Sequence, residues 1–121
     1  MQYILLIYQN ERWPALPVDT KNRVHQECGA WHQDLVRSGR STGAIGLQPP
    51  ETATTLRAQR GKTVITDGPF AETKEVLGGL EIVECRDLAE ALAIARDFPG
   101  LKSGGCTVEV RPGVSGGECR D

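Results

Sequence analysis

Thr66-Asp67-Gly68-Pro69-Phe70-Ala71-Glu72-Thr73-Lys74-Glu75-Val76-Leu77-Gly78-Gly79 brings a sharp turn, a group of charges and a strand entrance into one stretch. Gly68 tolerates a positive φ, while Pro69 fixes its own φ near −65° and keeps Gly68 out of the helical region. The chain must turn here. Phe70 adds an aromatic ring to bury, and Glu72, Lys74 and Glu75 carry charges close to Asp67. Upstream, Thr54 to Ala58 and Thr63 to Thr66 flank Gln59-Arg60-Gly61-Lys62 and read as a hairpin delivering the chain into the turn. Downstream, Val76 to Cys85 reads as a strand, with Gly78-Gly79 marking a bulge or a close approach of another backbone or ligand.

Further out, two helices and three more strands complete the pattern. Tyr3 to Tyr8 is an unbroken apolar run, too short for an ordinary helix and rich in strand formers, so both of its faces need cover. Pro14 and Pro17 place a loop over residues 9–17, with Trp13 folded against the body. Val24, Cys28, Trp31 and Leu35 recur at helical spacing within a helix from Val18 to Ser38, capped by Asp19 or Thr20 and stopped at Gly39. Gly29 inside it implies a close helix–sheet approach. Thr42 to Gln48 is a modest strand. Asp87 with Glu90 forms a capping pair for a second helix, with Leu88, Ala91, Leu92 and Ala95 as its buried stripe and Pro99-Gly100 as its end. Cys106, Val108 and Val110 alternate with Thr107, Glu109 and Arg111 in a last strand, before a Gly-rich, flexible tail over residues 113–121.

The order is strand, helix, strand, inserted hairpin, strand, helix, strand, which is the split βαβ arrangement of an α+β fold. Right-handed crossovers put both helices on one face of a four-stranded antiparallel sheet. The other face stays apolar and open, which predicts a homodimer through it.

At 121 residues the chain suits one domain, burying roughly two-thirds of its unfolded surface. With 39% hydrophobic and 25% charged residues and a net charge of −2, nothing favours nucleic acid or an anionic membrane as a partner. Arg57, Arg60 and Lys62 read as a solvated hairpin tip. No basic leader follows Met1 and no apolar stretch approaches a membrane span, so a cytoplasmic location is expected. Cys28, Cys85, Cys106 and Cys119 lack both zinc-site spacing and a secretory context, and read as reduced thiols.

The opening Met-Gln-Tyr-Ile-Leu-Leu-Ile-Tyr, the run from Thr66 to Glu75, the following Val-Leu-Gly-Gly-Leu and the closing Val108-Glu109-Val110-Arg111-Pro112 resemble the YCII-related domain family. The likeness is to its DGPF subfamily in particular, named for the residues at 67–70, and covers residues 1–112. It implies a ferredoxin-like fold pairing sheet to sheet as a dimeric α+β barrel. It also implies a setting beside extracytoplasmic-function sigma factors, with some relatives acting as dehalogenating or lyase-like enzymes on small aromatic or lactone-type compounds. Those relatives use a His near the start of the first helix and an Asp near the end of the second. Aligned on Gly39-Arg40, this sequence has Cys28 at the His position and only a loose Asp-Pro match at Asp97-Phe98-Pro99.

Two readings of the central loop stand side by side. Asp67, Glu72 and Glu75 are candidates for an acid–base pair or ligand contacts, with Lys74 as an anion-binding partner. Alternatively Asp67 caps the turn, Phe70 anchors the loop, and Glu72, Lys74 and Glu75 form weak surface pairs. His32 is the better catalytic candidate of the two histidines, as a proton acceptor near Asp67 or Glu72. His25 and His32 share a helix face but lie about 10 Å apart along the axis, too far to share one metal ion, so no metal is expected. Trp31 and Trp13 are core or rim residues able to wall an aromatic-ligand pocket.

No phosphate loop, nucleophile elbow or HExxH motif occurs, and no cofactor is called for. Two functions remain: a dimeric domain binding a small organic ligand or partner beside the Asp67–Phe70 loop, or a cofactor-free enzyme performing proton-transfer or elimination chemistry on a small polar or aromatic compound.

Overall fold

The structure, a computed structural model, describes residues 1–114. The apolar run becomes β1 (Gln2–Gln9), an inner strand flanked by β5 (Val76–Glu84) and β6 (Cys106–Pro112). β2 (Ser41–Gly46) pairs with the far side of β5, giving an antiparallel sheet in the order β2-β5-β1-β6. α1 (Val18–Arg37) links β1 to β2, and α2 (Leu88–Arg96) with the short α3 (Pro99–Lys102) links β5 to β6. The hairpin of β3 (Thr54–Gln59) and β4 (Lys62–Asp67) forms a separate two-stranded sheet inserted between β2 and β5. The fold is the ferredoxin-like split βαβ with an inserted hairpin. Among the described residues, no helix is long and apolar enough to cross a membrane.

Strand alternation decides where the core lies. Tyr3 and Leu5 of β1 and Val83 of β5, with Cys85 just beyond it, turn toward the helices, where they meet Leu35 of α1 and Ala91, Ile94 and Ala95 of α2. The intervening Ile4, Leu6 and Tyr8 of β1 and Leu80 and Ile82 of β5 fall on the other face, with Ile45 of β2 beside Leu80 and 61% exposed. Among the described residues, no helix covers that face.

Both readings of the paired glycines hold, one at each residue. Ile7 lies opposite Gly79 and Tyr8 opposite Leu77, so Gly78 is the extra residue of a bulge. A Cβ on Gly79 would stand 2.9 Å from the Ile45 carbonyl oxygen, and glycine is what lets β2 approach. At the hairpin tip Arg60 and Gly61 both have positive φ, as a two-residue type I′ turn requires. Gly68 has φ +98°, its N–H donates to Ala53 O at 2.7 Å, and Thr55 Oγ1 donates to its carbonyl at 2.7 Å.

Several expectations are corrected. Pro17, not Asp19 or Thr20, stands at the N-cap of α1, without a side-chain cap; Asp19 lies in the first turn, where its negative charge complements the positive end of the helix dipole. A Cβ added at Gly29 would meet no atom within 4 Å, so no close approach occurs there. On α2 the buried residues are Ala91, Ile94 and Ala95, whereas Leu88 and Leu92 are 49% and 36% exposed. The reason is Phe98: buried edge-on against Trp31 with ring centroids 5.1 Å apart, it extends the 91, 94, 95 stripe by one turn and fixes which face docks. Pro99 ends α2 but also opens α3. Phe70, expected to anchor its loop, is 73% exposed. The Asp87 cap is as expected, its carboxylate accepting from Glu90 N–H at 3.0 Å. Beyond Val114, the expected flexible tail and Cys119 lie outside the described residues.

Candidate functional site

Between α1 and the β2–β5 side of the sheet lies a cavity of about 490 Å³. Its room comes from missing side chains: Gly29 on the helix and Gly46, Gly78 and Gly79 on the strands all line it. Its aromatic walls are Trp13, Trp31 and Phe98. Trp31 is held in place by its indole N–H, which donates to Ile94 O at 3.3 Å.

One wall carries the chemistry. Glu81 on β5 turns toward the helices and is 2% exposed, the buried charged side chain of the described residues. A carboxylate stripped of water is tolerated only when hydrogen-bonded or paired. Glu81 has both kinds of support: His32 Nδ1 lies 2.9 Å and 3.0 Å from its two oxygens, and the Ser41 hydroxyl donates to it from β2. The carboxylate accepts at Nδ1, which places the proton there and leaves Nε2 of the neutral ring as the acceptor. His32, 31% exposed at its side chain, lines the cavity with Glu81. A proton acceptor oriented by a second, buried group is the arrangement that general-base chemistry needs.

His32 therefore keeps its candidacy, with a different partner. Its hydrogen bonds run to Glu81 and not to Asp67 or Glu72, and Glu81 is the residue that reasoning from sequence misses. The available signal is parity: Gly79, Glu81 and Val83 share one face of a strand whose inward side is otherwise apolar or glycine.

The loop residues sit elsewhere. Phe70 and Glu72 line a groove of about 840 Å³ under their own loop, together with Tyr8, Leu47 and Pro50. Lys74 and Glu72 border a neighbouring depression next to Gln9 and Pro14. Asp67 lines none of these three spaces. The turn is held by hairpin donors, Thr55 and also Arg57, whose Nη2 donates to Phe70 O at 2.6 Å. Glu75 accepts from Thr107 Oγ1 at 2.6 Å on β6. So Trp31 and His32 come together in the α1 cavity, Phe70 and Glu72 in the loop groove, and the two sets are separate.

Cys28 and Cys106 also line the α1 cavity. Burial raises both thiols; the Gly100 N–H partly offsets this at Cys28, while Cys106, with Cys28 beside it, is pushed up to about 11. Both stay protonated near neutral pH, which makes them walls rather than nucleophiles. His25 stacks at a tilt on Trp13, ring centroids 5.3 Å apart.

Comparison with known proteins agrees with this architecture. An uncharacterised protein of Rhizobium meliloti strain 1021 is 37% identical over 113 residues, spanning 93% of this chain and 91% of that one. The fold is similar to that of 5-chloro-2-hydroxyhydroquinone dehydrochlorinase (TftG) from Burkholderia phenoliruptrix AC1100, solved with 2,5-dihydroxybenzoquinone: TM-score 0.55, 17% identity, 96% of each chain covered. The family model of the YCII-related domain matches residues 1–113, from the first strand through the last. With the whole sheet, both crossovers and the inserted hairpin inside that match, the chain belongs to the YCII-related domain family.

Proposed function

We propose that the chain binds a small organic molecule in the α1 cavity and moves a proton to or from it with His32, without a cofactor. The observation that carries this is the His32–Glu81 pair, a carboxylate 2% exposed and within 2.9 Å of Nδ1, on the wall of a cavity large enough for a single-ring compound. Burial makes Glu81 an orienting group: it holds the imidazole in one tautomer and stabilises the imidazolium formed when Nε2 takes a proton. The likeness to the dehydrochlorinase is one of fold; its compound, a single ring bearing oxygens, is of a size this cavity admits. The partner for the bare sheet face is a second copy, since Ile4, Leu6, Leu80, Ile82 and Ile45 form one apolar surface there.

A second reading has its own observation. The groove under the Asp67–Phe70 loop, with Phe70 and Leu47 exposed at its rim, suits a binding role without chemistry.

The test uses ring-substituted phenols and small carbon acids, with binding read by chemical shifts of the backbone amides that line the α1 cavity and the loop groove, and proton transfer by deuterium incorporation from solvent. His32→Gln should retain binding and lose incorporation by 100-fold or more, within the roughly 10²–10⁴ that general-base catalysis contributes. Binding confined to resonances of the loop groove would favour the second reading, and unchanged incorporation in both His32→Gln and Glu81→Gln would end the first.

A further inference from the structure

We propose that the α1 cavity is two-ended: His25 grips the far end of the molecule whose near end meets His32, so that the ligand is an elongated planar acid with a hydroxyl at one end and an anionic group at the other. This rests on the cavity reading above and adds the ligand's shape and charge.

Seven residues separate the two histidines, a rise of about 10 Å along α1 and a rotation that returns to nearly the same face. Both line the cavity, and so does Gly29, which lies between them on that face. Any larger residue at 29 would stand between the two imidazoles. With no atom within 4 Å of where its Cβ would be, Gly29 opens a clear lane from one ring to the other. The ends are both built. His32 is oriented by Glu81, and His25 is seated against Trp13, itself 8% exposed, at a centroid distance of 5.3 Å.

Charge selects the ligand's far end. Of the residues lining the cavity, Glu81 is the acidic one, and its oxygens are committed to His32 and Ser41. The thiols of Cys28 and Cys106 are neutral for the reason given above. Among the described residues that line it, no free carboxylate awaits an ammonium group, whereas the His25 ring and the Gln9 amide offer donors to a carboxylate. Trp31 and Phe98 supply flat apolar surface for the body between the ends.

Calorimetric titration with three probes tests this: 4-hydroxycinnamate, which has both ends; 4-vinylphenol, which has the hydroxyl alone; and cinnamate, which has the carboxylate alone. In the wild-type chain 4-hydroxycinnamate should bind at least tenfold tighter than either single-ended probe. His25→Gln, at an exposed position, should remove that advantage while leaving 4-vinylphenol unchanged, and Gly29→Leu should weaken 4-hydroxycinnamate more than 4-vinylphenol. Equal affinity for 4-hydroxycinnamate and 4-vinylphenol, or an advantage that survives His25→Gln, would overturn the two-ended site and leave the cavity reading standing. Binding of none of the three would take down both.

Discussion

Replacing Gly29 by Ala should stabilise the protein. Gly29 lies in the interior of a helix of 20 residues, at a position with an ordinary negative φ and nothing within 4 Å of an added Cβ. Glycine costs about 1 kcal/mol relative to alanine in such a place, through the backbone freedom it loses on folding. No steric penalty offsets that gain, so the full amount of about 1 kcal/mol is expected. For a chain of this length the unfolding entropy is on the order of 0.25 kcal/mol/K, so Tm should rise by roughly 4 °C. Urea denaturation followed by circular dichroism should show a higher midpoint at unchanged slope, since the surface exposed on unfolding is the same. A helix pressed onto the sheet at Gly29 would give the opposite sign, overpacking costing about 1–3 kcal/mol. A lower midpoint for Gly29→Ala would therefore refute the open lane and the cavity drawn around it.

Other outcomes follow from the same packing. Asp87→Ala removes the cap on Glu90 N–H and should cost about 1 kcal/mol, measured by the same urea titration. Between pH 9 and about 11 the unfolded chain releases the Cys106 proton while the folded chain keeps it, so stability should fall across that window by on the order of 2 kcal/mol, and Cys106→Ala should flatten the fall. Ile82→Glu puts a charge in the middle of the bare sheet face and should turn a dimer into a monomer in light scattering; a wild-type chain that is monomeric at high concentration would remove the sheet-to-sheet pairing.

The architecture is legible in the sequence because its signals are local and repeated. Tyr3 to Tyr8 reads as a strand, Asp87 with Glu90 as a helix start, and Gln59 to Lys62 as a hairpin connection, which the structure tightens to Arg60-Gly61, and none of these depends on a distant residue. The site is legible only in part. His32 stands out on a helix face, but its orienting partner is 49 residues away on β5, and it is strand parity plus sheet pairing that bring Glu81 under α1. The loop at 67–70 attracts notice for its charges, yet Asp67 and Glu72 stay at the surface because the hairpin donors Thr55 and Arg57 already hold that turn. The α2 stripe is misplaced from sequence for a similar reason: Phe98 lies past the helix end and selects the buried face from outside it.

The extra residue at Gly78 also acts as a switch of sidedness along β5. From Val83 to Gly79 the odd-numbered positions face the helices, but past the interruption Leu77 lies opposite Tyr8 and joins the even-numbered Leu80 and Ile82 on the outer surface. Deleting that one glycine would close the bulge while leaving Leu77 opposite Tyr8 on the outer surface, and would take from the Leu47 N–H its acceptor, the Gly78 carbonyl at 2.8 Å. A single residue without a side chain thus bends the strand at the cavity wall, and a deletion there should reshape that wall while leaving the outward row of β5 side chains as it is.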